Sequence, residues 1–129
     1  LLWVSKLQTE IALSTMEAEY IALSQAMRDL LPTRAMIQDV IWSLVPSSVD
    51  SNVSMVFEDN DATRMLATSP RMTPRSKHIV VKYHFFREKV ASGEVQIQHV
   101  DSSDQKADIF TKGLVQVKFE ALRKSLMGW

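Results

Sequence analysis

Three carboxylates are placed where an acid is awkward. Glu19 lies in Met16-Glu17-Ala18-Glu19-Tyr20-Ile21-Ala22-Leu23, Asp59 in Phe57-Glu58-Asp59-Asn60, and Asp108 in Gln105-Lys106-Ala107-Asp108-Ile109-Phe110. Each is set among apolar residues, on a helix face or at the end of a strand or helix. Drawn to one point, three acids would hold a divalent cation through hard oxygen donors. Metal held by carboxylates is a common apparatus for phosphodiester cleavage.

Helical geometry separates Glu19 from its neighbour Glu17. At about 100° per residue, Met16, Ala18, Tyr20, Ala22, Leu23, Ala26, Met27, Leu30 and Leu31 fill one broad arc, with Glu19 in its middle. Glu17 falls on the opposite side with Ser24, Gln25 and Arg28, and Ser14-Thr15-Met16-Glu17 reads as a capping box that accounts for it. Glu19 has no such explanation, and a lone carboxylate on a buried face is costly unless paired or bound to metal. Asp59 ends an apolar strand ahead of a helix, the position where ligands collect in α/β sheets. Asp61 reads as the cap of that helix, which leaves Asp59 without a structural duty. Asp108 can serve a helix N-terminus, so alone it says less. Of the histidines, His78 lies nearest the basic residues, and His84 and His99 carry no pattern of their own.

The elements that must position these acids follow from period and punctuation. Leu1 to Gln8 alternates weakly and reads as a strand. A helix opens at Ser14 and runs to about Leu31, where Pro32 kinks it or starts a second helix with Met36, Ile37, Val40, Ile41 and Leu44 on one face. Pro46 to Asn52 is a loop, Val53 to Phe57 a strand, and a short helix follows Asp61 and ends before Pro70. Pro70 to Pro74 is a basic loop. Ile79, Tyr83, Phe86 and Val90 predict a helix stopped at Gly93, and residues 94–100 alternate as a strand. Ser102 or Ser103 caps a helix through Lys112, and a last helix spans about 117–126 with Phe119, Leu122 and Leu126 inward. This order describes one α/β domain over residues 1–129, with a partly parallel sheet.

At 129 residues, 46% hydrophobic and 23% charged, the chain is long enough for one core and too ordinary in composition for disorder. No apolar run approaches the ~20 residues of a membrane helix, so no membrane partner is expected. The absence of cysteine excludes disulfides and thiolate metal sites and suits an intracellular protein, in a cytoplasmic particle or the nucleus. The zero net charge conceals an asymmetry. Residues 1–60 carry Lys6, Arg28 and Arg34 against eight acids, whereas between Arg64 and Lys89 the basic residues Arg64, Arg71, Arg75, Lys77, Lys82, Arg87 and Lys89 meet only Glu88. A basic stretch beside acids suits a polyanion held near a metal centre, with Arg71, Arg75, Lys77, His78 and Lys82 as candidate substrate contacts.

Taken together these motifs resemble the ribonuclease H domain of the Pol polyprotein of copia-type LTR retrotransposons. The matching stretches are Trp3 to Gln8, Leu13 to Leu23, Glu58-Asp59-Asn60, Arg75 to Glu88 and Gln105 to Lys112, in the family's order over nearly the whole chain. The resemblance implies an RNase H-like fold, a mixed central sheet flanked by helices, that cuts the RNA strand of an RNA–DNA hybrid during reverse transcription. It implies Glu19, Asp59 and Asp108 as catalytic metal ligands, Mg²⁺ or Mn²⁺ as cofactor in a two-metal site about 3.5–4 Å across, and a reverse transcriptase domain on the same polyprotein as partner. It also implies a fourth, metal-bridging aspartate on opening strands ahead of Trp3. This chain starts after them, so the domain is expected to be N-terminally truncated, with one unpaired strand edge, and inactive alone. The family usually has proline at the positions of Asp101 and Gly113.

Two other readings fit the same residues. One is a non-catalytic nucleic-acid-binding remnant or recruited scaffold module. The other is an integrase-like transferase using Asp59 and Glu94, against which Glu19 speaks. If the basic stretch holds nucleic acid, binding of an RNA–DNA hybrid measured by fluorescence anisotropy weakens steeply as salt is raised; salt-insensitive binding would contradict it.

Overall fold

The computed structural model describes residues 4–45, 53–69 and 84–129. The expected loop at 46–52, the basic loop at 70–74 and the helical pattern at 79–83 lie outside them. Among the described residues the order is α1 (Thr15–Leu44), β1 (Ser54–Glu58), α2 (Asp61–Thr68), α3 (Arg87–Ala91), β2 (Val95–His99), α4 (Asp108–Thr111) and α5 (Gln116–Met127). The mixture of helices with a parallel strand pair is the α/β class expected from the alternation of periods.

α1 begins where the capping box places it. Ser14 is extended (φ −154°, ψ 162°) and its hydroxyl accepts the Glu17 N–H at 3.2 Å. The Glu17 carboxylate in return accepts the Leu13 N–H at 2.9 Å, which satisfies donors that the first helical turn leaves over. This reciprocal bond folds Glu17 inward, to 6% exposure, against the expectation of an outward residue. The helix does not stop at Leu31. It runs 30 residues through Pro32, which costs about 3 kcal/mol in a helix interior. The anchoring of its first half in the core works against a break.

The core gathers on the N-terminal half of α1. Tyr20, Ile21, Leu23 and Met27 pack with Leu66 and Ala67 of α2, with Phe86, and with Val95 and Ile97 of β2. Tyr20 and Phe86 stack at 5.7 Å between ring centroids, tilted by 42°. The Tyr20 hydroxyl is hydrogen-bonded to His84 Nδ1 at 2.7 Å, and burial pushes its pKa up to about 12 despite Arg87 nearby. Thr63, fully buried, donates its hydroxyl to the Met16 carbonyl at 3.0 Å and ties α2 to the first turns of α1. On β2, Val95 and Ile97 face in while Gln96 and Gln98 face out, as the alternation predicts.

Several expectations need correction. Residues 4–8 take up no regular secondary structure and join no ladder, so the opening strand is not formed among the described residues. Met36, Ile37, Val40, Ile41 and Leu44 are all exposed, so their shared face packs on nothing described. The helix after β1 is capped by Asn60, whose side chain accepts the Thr63 N–H at 3.0 Å; Asp61 is its first residue and pairs with Arg64 instead. Ser102 and Ser103 cap no helix, because the chain makes turns until Asp108 and α4 is a single turn with Ala107 before it. In α5 Leu122 is buried but Phe119 is largely exposed.

β1 and β2 run parallel, in register from Ser54 opposite Val95 to Glu58 opposite His99. Asp59 therefore lies just past the carboxyl end of the pair and Glu94 just before the amino end. The contrast within α1 is testable by chemical denaturation. Met27→Ala, at a fully buried position, is expected to cost about 2–5 kcal/mol. Ile41→Ala is expected to cost less than about 1 kcal/mol, and equal losses would show that the second half of α1 is packed.

Candidate functional site

Glu19, Asp59 and Asp108 come from three elements and meet at the carboxyl end of the parallel pair. Glu19 stands one turn into α1, Asp59 follows β1, and Asp108 opens α4. Glu19 is half-buried. Its pKa is raised first by burial and then by the charges of Asp59 and Asp108, against the opposing Lys112. Glu19 thus lies within electrostatic reach of both Asp59 and Asp108.

Polar contacts hold this end together. The Ser102 hydroxyl donates to Asp59 Oδ2 at 2.9 Å. The Gln105 side chain donates to the Phe57 carbonyl at 3.3 Å, and the Val100 N–H to the Glu58 carbonyl at 3.2 Å. These bonds bring the 100–107 turns, and with them α4, against the end of β1. Asp108 is only 4% exposed, and both its oxygens are occupied. Lys112 approaches Oδ1 at 2.8 Å and Lys118 approaches Oδ2 at 3.2 Å. Lys118 also donates to the Ser102 carbonyl at 2.8 Å, so a chain of contacts runs from Asp59 through Ser102 and Lys118 to Asp108.

A fourth acid belongs to this site. Glu58 is 6% exposed, its carboxylate accepts the Asn60 N–H at 3.0 Å, and its pKa is pushed up to about 7. Burial is the main cause, with Glu19 and Asp59 adding to it. The strand alternation could have found it, since Ser54, Val56 and Glu58 share one face of β1 and Met55 and Phe57 the other. Lys112 and Lys118 had no signal of this kind. Their role depends on a one-turn helix and on α5 folding back, neither of which a local pattern displays.

The donor set suits a divalent cation in kind, because its donors are hard carboxylate oxygens; the Glu19 and Glu58 carboxyls are raised in pKa by burial first and by neighbouring carboxylates second. The arrangement is nevertheless not a formed metal cage. Among the described residues no three His, Asp or Glu side chains converge closely enough to hold one ion. The candidate substrate residues Arg71, Arg75, Lys77, His78 and Lys82 lie outside the described residues. His99, at the end of β2, faces Asp61 at 3.4 Å and Asp101 at 3.9 Å rather than the three acids.

The opposite end of the strand pair carries different chemistry. Glu94 is held by Lys89 at 2.9 Å and by the Ser92 hydroxyl at 3.0 Å, and lies 4.0 Å from Arg34. Six residue steps of about 3.3 Å along the strands separate it from Asp59. The pairing of Asp59 with Glu94 that a transferase of integrase type needs is excluded by that separation. A groove of about 550 Å³ is lined by residues 4–8, by α1 between Ile21 and Asp29, and by Thr111.

Glu58 makes a measurable prediction. Its folded pKa of about 7 exceeds the ordinary 4.5, so its contribution to stability is whole below about pH 4.5 and is lost as pH rises through about 7. Unfolding free energy is expected to fall by on the order of 2 kcal/mol across that window, and Glu58→Gln to remove this component. Denaturation curves of both proteins from pH 4 to pH 8 check it; identical slopes would refute the burial of Glu58.

The chain was compared with known proteins. It is 32% identical over 126 residues to the retrovirus-related Pol polyprotein from transposon TNT 1-94 of Nicotiana tabacum, a match that covers 98% of this chain and 9% of that protein. It is 32% identical over 125 residues to the counterpart from transposon RE2 of Arabidopsis thaliana, covering 96% of this chain and 8% of the relative. For transposon RE1 of the same plant the identity is 30% over 118 residues, covering 92% and 8%. No family model and no solved structure matches. The chain spans less than a tenth of the length of these relatives. It belongs with the retrovirus-related Pol polyproteins of copia-type transposons, as the counterpart of one short segment of them.

Proposed function

We propose that this segment of a Pol polyprotein serves as a metal-dependent ribonuclease H, degrading the RNA strand of RNA–DNA hybrids during reverse transcription. The observation that carries the reading is the meeting of Glu19, Asp59 and Asp108, from three separate elements, at the carboxyl end of a parallel strand pair. The motif resemblance and the relatedness to transposon Pol polyproteins support it. In this reading Glu19, Asp59 and Asp108 hold the cation, Mg²⁺ or Mn²⁺, which supplies an activated water and steadies the leaving oxygen. Ser102 orients Asp59 through its hydroxyl, and the bond from the Asn60 N–H to Glu58 sets the turn on which Asp59 stands. The basic segment 71–82 engages the phosphates of the hybrid, and the reverse transcriptase domain of the same polyprotein is the partner. No helix among the described residues is long and apolar enough to cross a membrane.

One observation favours a second reading. Lys112 and Lys118 already satisfy Asp108, as a binding module without catalysis would require. Cleavage decides between the two. Within its own upstream reading frame, the chain is expected to cut the RNA strand of a hybrid with Mg²⁺ or Mn²⁺. Asp59→Asn is expected to slow cutting by roughly 100-fold or more, the order of loss when one electrostatic group of an active site is removed. Robust cleavage by Asp59→Asn would refute the site. Intact hybrid binding with no cleavage by the unsubstituted protein would favour the binding module.

A further inference from the structure

Past Pro32 the first helix carries apolar side chains into solvent. Arg34 fastens it to the amino end of the strand pair, donating to the Ser54 hydroxyl at 3.3 Å and lying 4.0 Å from Glu94. Beyond this point α1 projects to Leu44, and Met36, Ile37, Val40, Ile41, Trp42 and Leu44 are each between 40% and 75% exposed. At about 100° per residue, Ile37, Val40, Ile41 and Leu44 share one narrow arc, Met36 borders it, and Asp39 falls on the opposite side. A helical stretch this short is marginal in water unless an apolar stripe of this kind is covered.

The chemistry of the stripe narrows what covers it. Between Pro32 and Val45 the charged residues are Arg34, turned to Ser54 and Glu94, and Asp39. The stripe therefore offers no cation to a phosphate backbone, nor the basic flank by which interfacial helices hold acidic lipid. An apolar protein surface is what it fits. Its size then separates a free partner from a tethered one. Ile37 to Leu44 covers about 11 Å of helix, whereas a free partner needs roughly 800 Å² on each side for a stable complex. Tethering on one chain supplies an effective concentration in the millimolar range, at which a small apolar face suffices. This chain spans less than a tenth of the related Pol polyproteins, so most of such a polyprotein lies outside it. We propose that the face of α1 between Met36 and Leu44 docks on an apolar surface of another segment of the same Pol polyprotein. The docking depends on membership in that family and is independent of the nuclease reading.

Hydrogen–deuterium exchange read by mass spectrometry tests the proposal, on this chain alone and on the same chain within its own longer reading frame. Amides of residues 36–44 are expected to exchange roughly tenfold or more slowly in the longer protein, as burial of a helix face slows local opening. Amides of residues 20–27, in the core of both, serve as the reference. Ile37→Gln combined with Ile41→Gln removes the apolar surface while keeping good helix formers. In the longer protein this double variant is expected to lose the added protection. Equal exchange in the two unsubstituted proteins would overturn the proposal even if the double variant failed to fold. Protection already complete in the chain alone would also overturn it, assigning the face to a second copy if it rose with concentration and to this chain's own residues if it did not. Full protection retained by the double variant would place the contact elsewhere and overturn it too. Docking observed without hybrid cleavage would leave this face standing and refute the nuclease alone.

Discussion

Crowding of like charge at the carboxyl end of the β1–β2 pair is the constraint to which the rest of this structure answers. Glu19, Glu58, Asp59 and Asp108 stand there together, with Asp108 and Glu58 almost wholly withdrawn from water. Repulsion and desolvation both favour protonation, and the structure resolves them in two ways. Glu58 is pushed up to about 7, so its charge at neutral pH is partial. Asp108 is clasped by two ammonium groups. A chain without these compensations would face the penalty of uncompensated buried charge, several kcal/mol for each ion.

That charge cluster exists only because of how the strands run. A parallel pair places the ends of both strands on the same side, and the turns that leave them, Asp59–Asn60 and 100–107, are thrown together. α1 contributes from across the core, where Tyr20 and Met27 anchor its first half and Thr63 grips the Met16 carbonyl. Glu19, between these anchors, has little freedom to leave. The other end of the sheet gathers Arg34, Lys89 and Glu94 into an ion cluster in which Lys89 and Glu94 are exposed, so their pair is worth little to stability, while Arg34 is largely buried. Two clusters of charge at opposite ends of the same strands thus differ in consequence, because one sets four acids together with two of them buried and the other sets two cations around a single exposed acid.

Much of this was legible before any coordinates. The capping box at Ser14, the alternation of β2, the Gly93 stop and the odd placement of Glu19, Asp59 and Asp108 each rest on local geometry that a periodic pattern records. The failures were also physical. The helical wheel put Glu17 outside because it weighs only angle, whereas the bond to the Leu13 N–H draws that carboxylate inward. Asp61 seemed the better cap, yet Asn60 took the duty, because the helix already begins at Asp61 and the Asn60 side chain accepts the Thr63 N–H. Pro32 was read as a kink or the start of a second helix because its missing donor was weighed alone, whereas one helix runs through it from Thr15 to Leu44.

From residue types and order alone came the class of fold, the three acids and their kinship with Pol polyproteins, because each is written in spacing that survives without a partner in space. Only the folded chain disclosed Glu58 as a member of the site and Lys112 and Lys118 as its positive charge. Those memberships depend on elements far apart in sequence being pressed together, and on burial, which multiplies the effect of every nearby charge. The same folding turned three acids that merely looked alike into groups with different surroundings: Ser102 for Asp59, two lysines for Asp108, and for Glu19 burial first and then the charges of its neighbours.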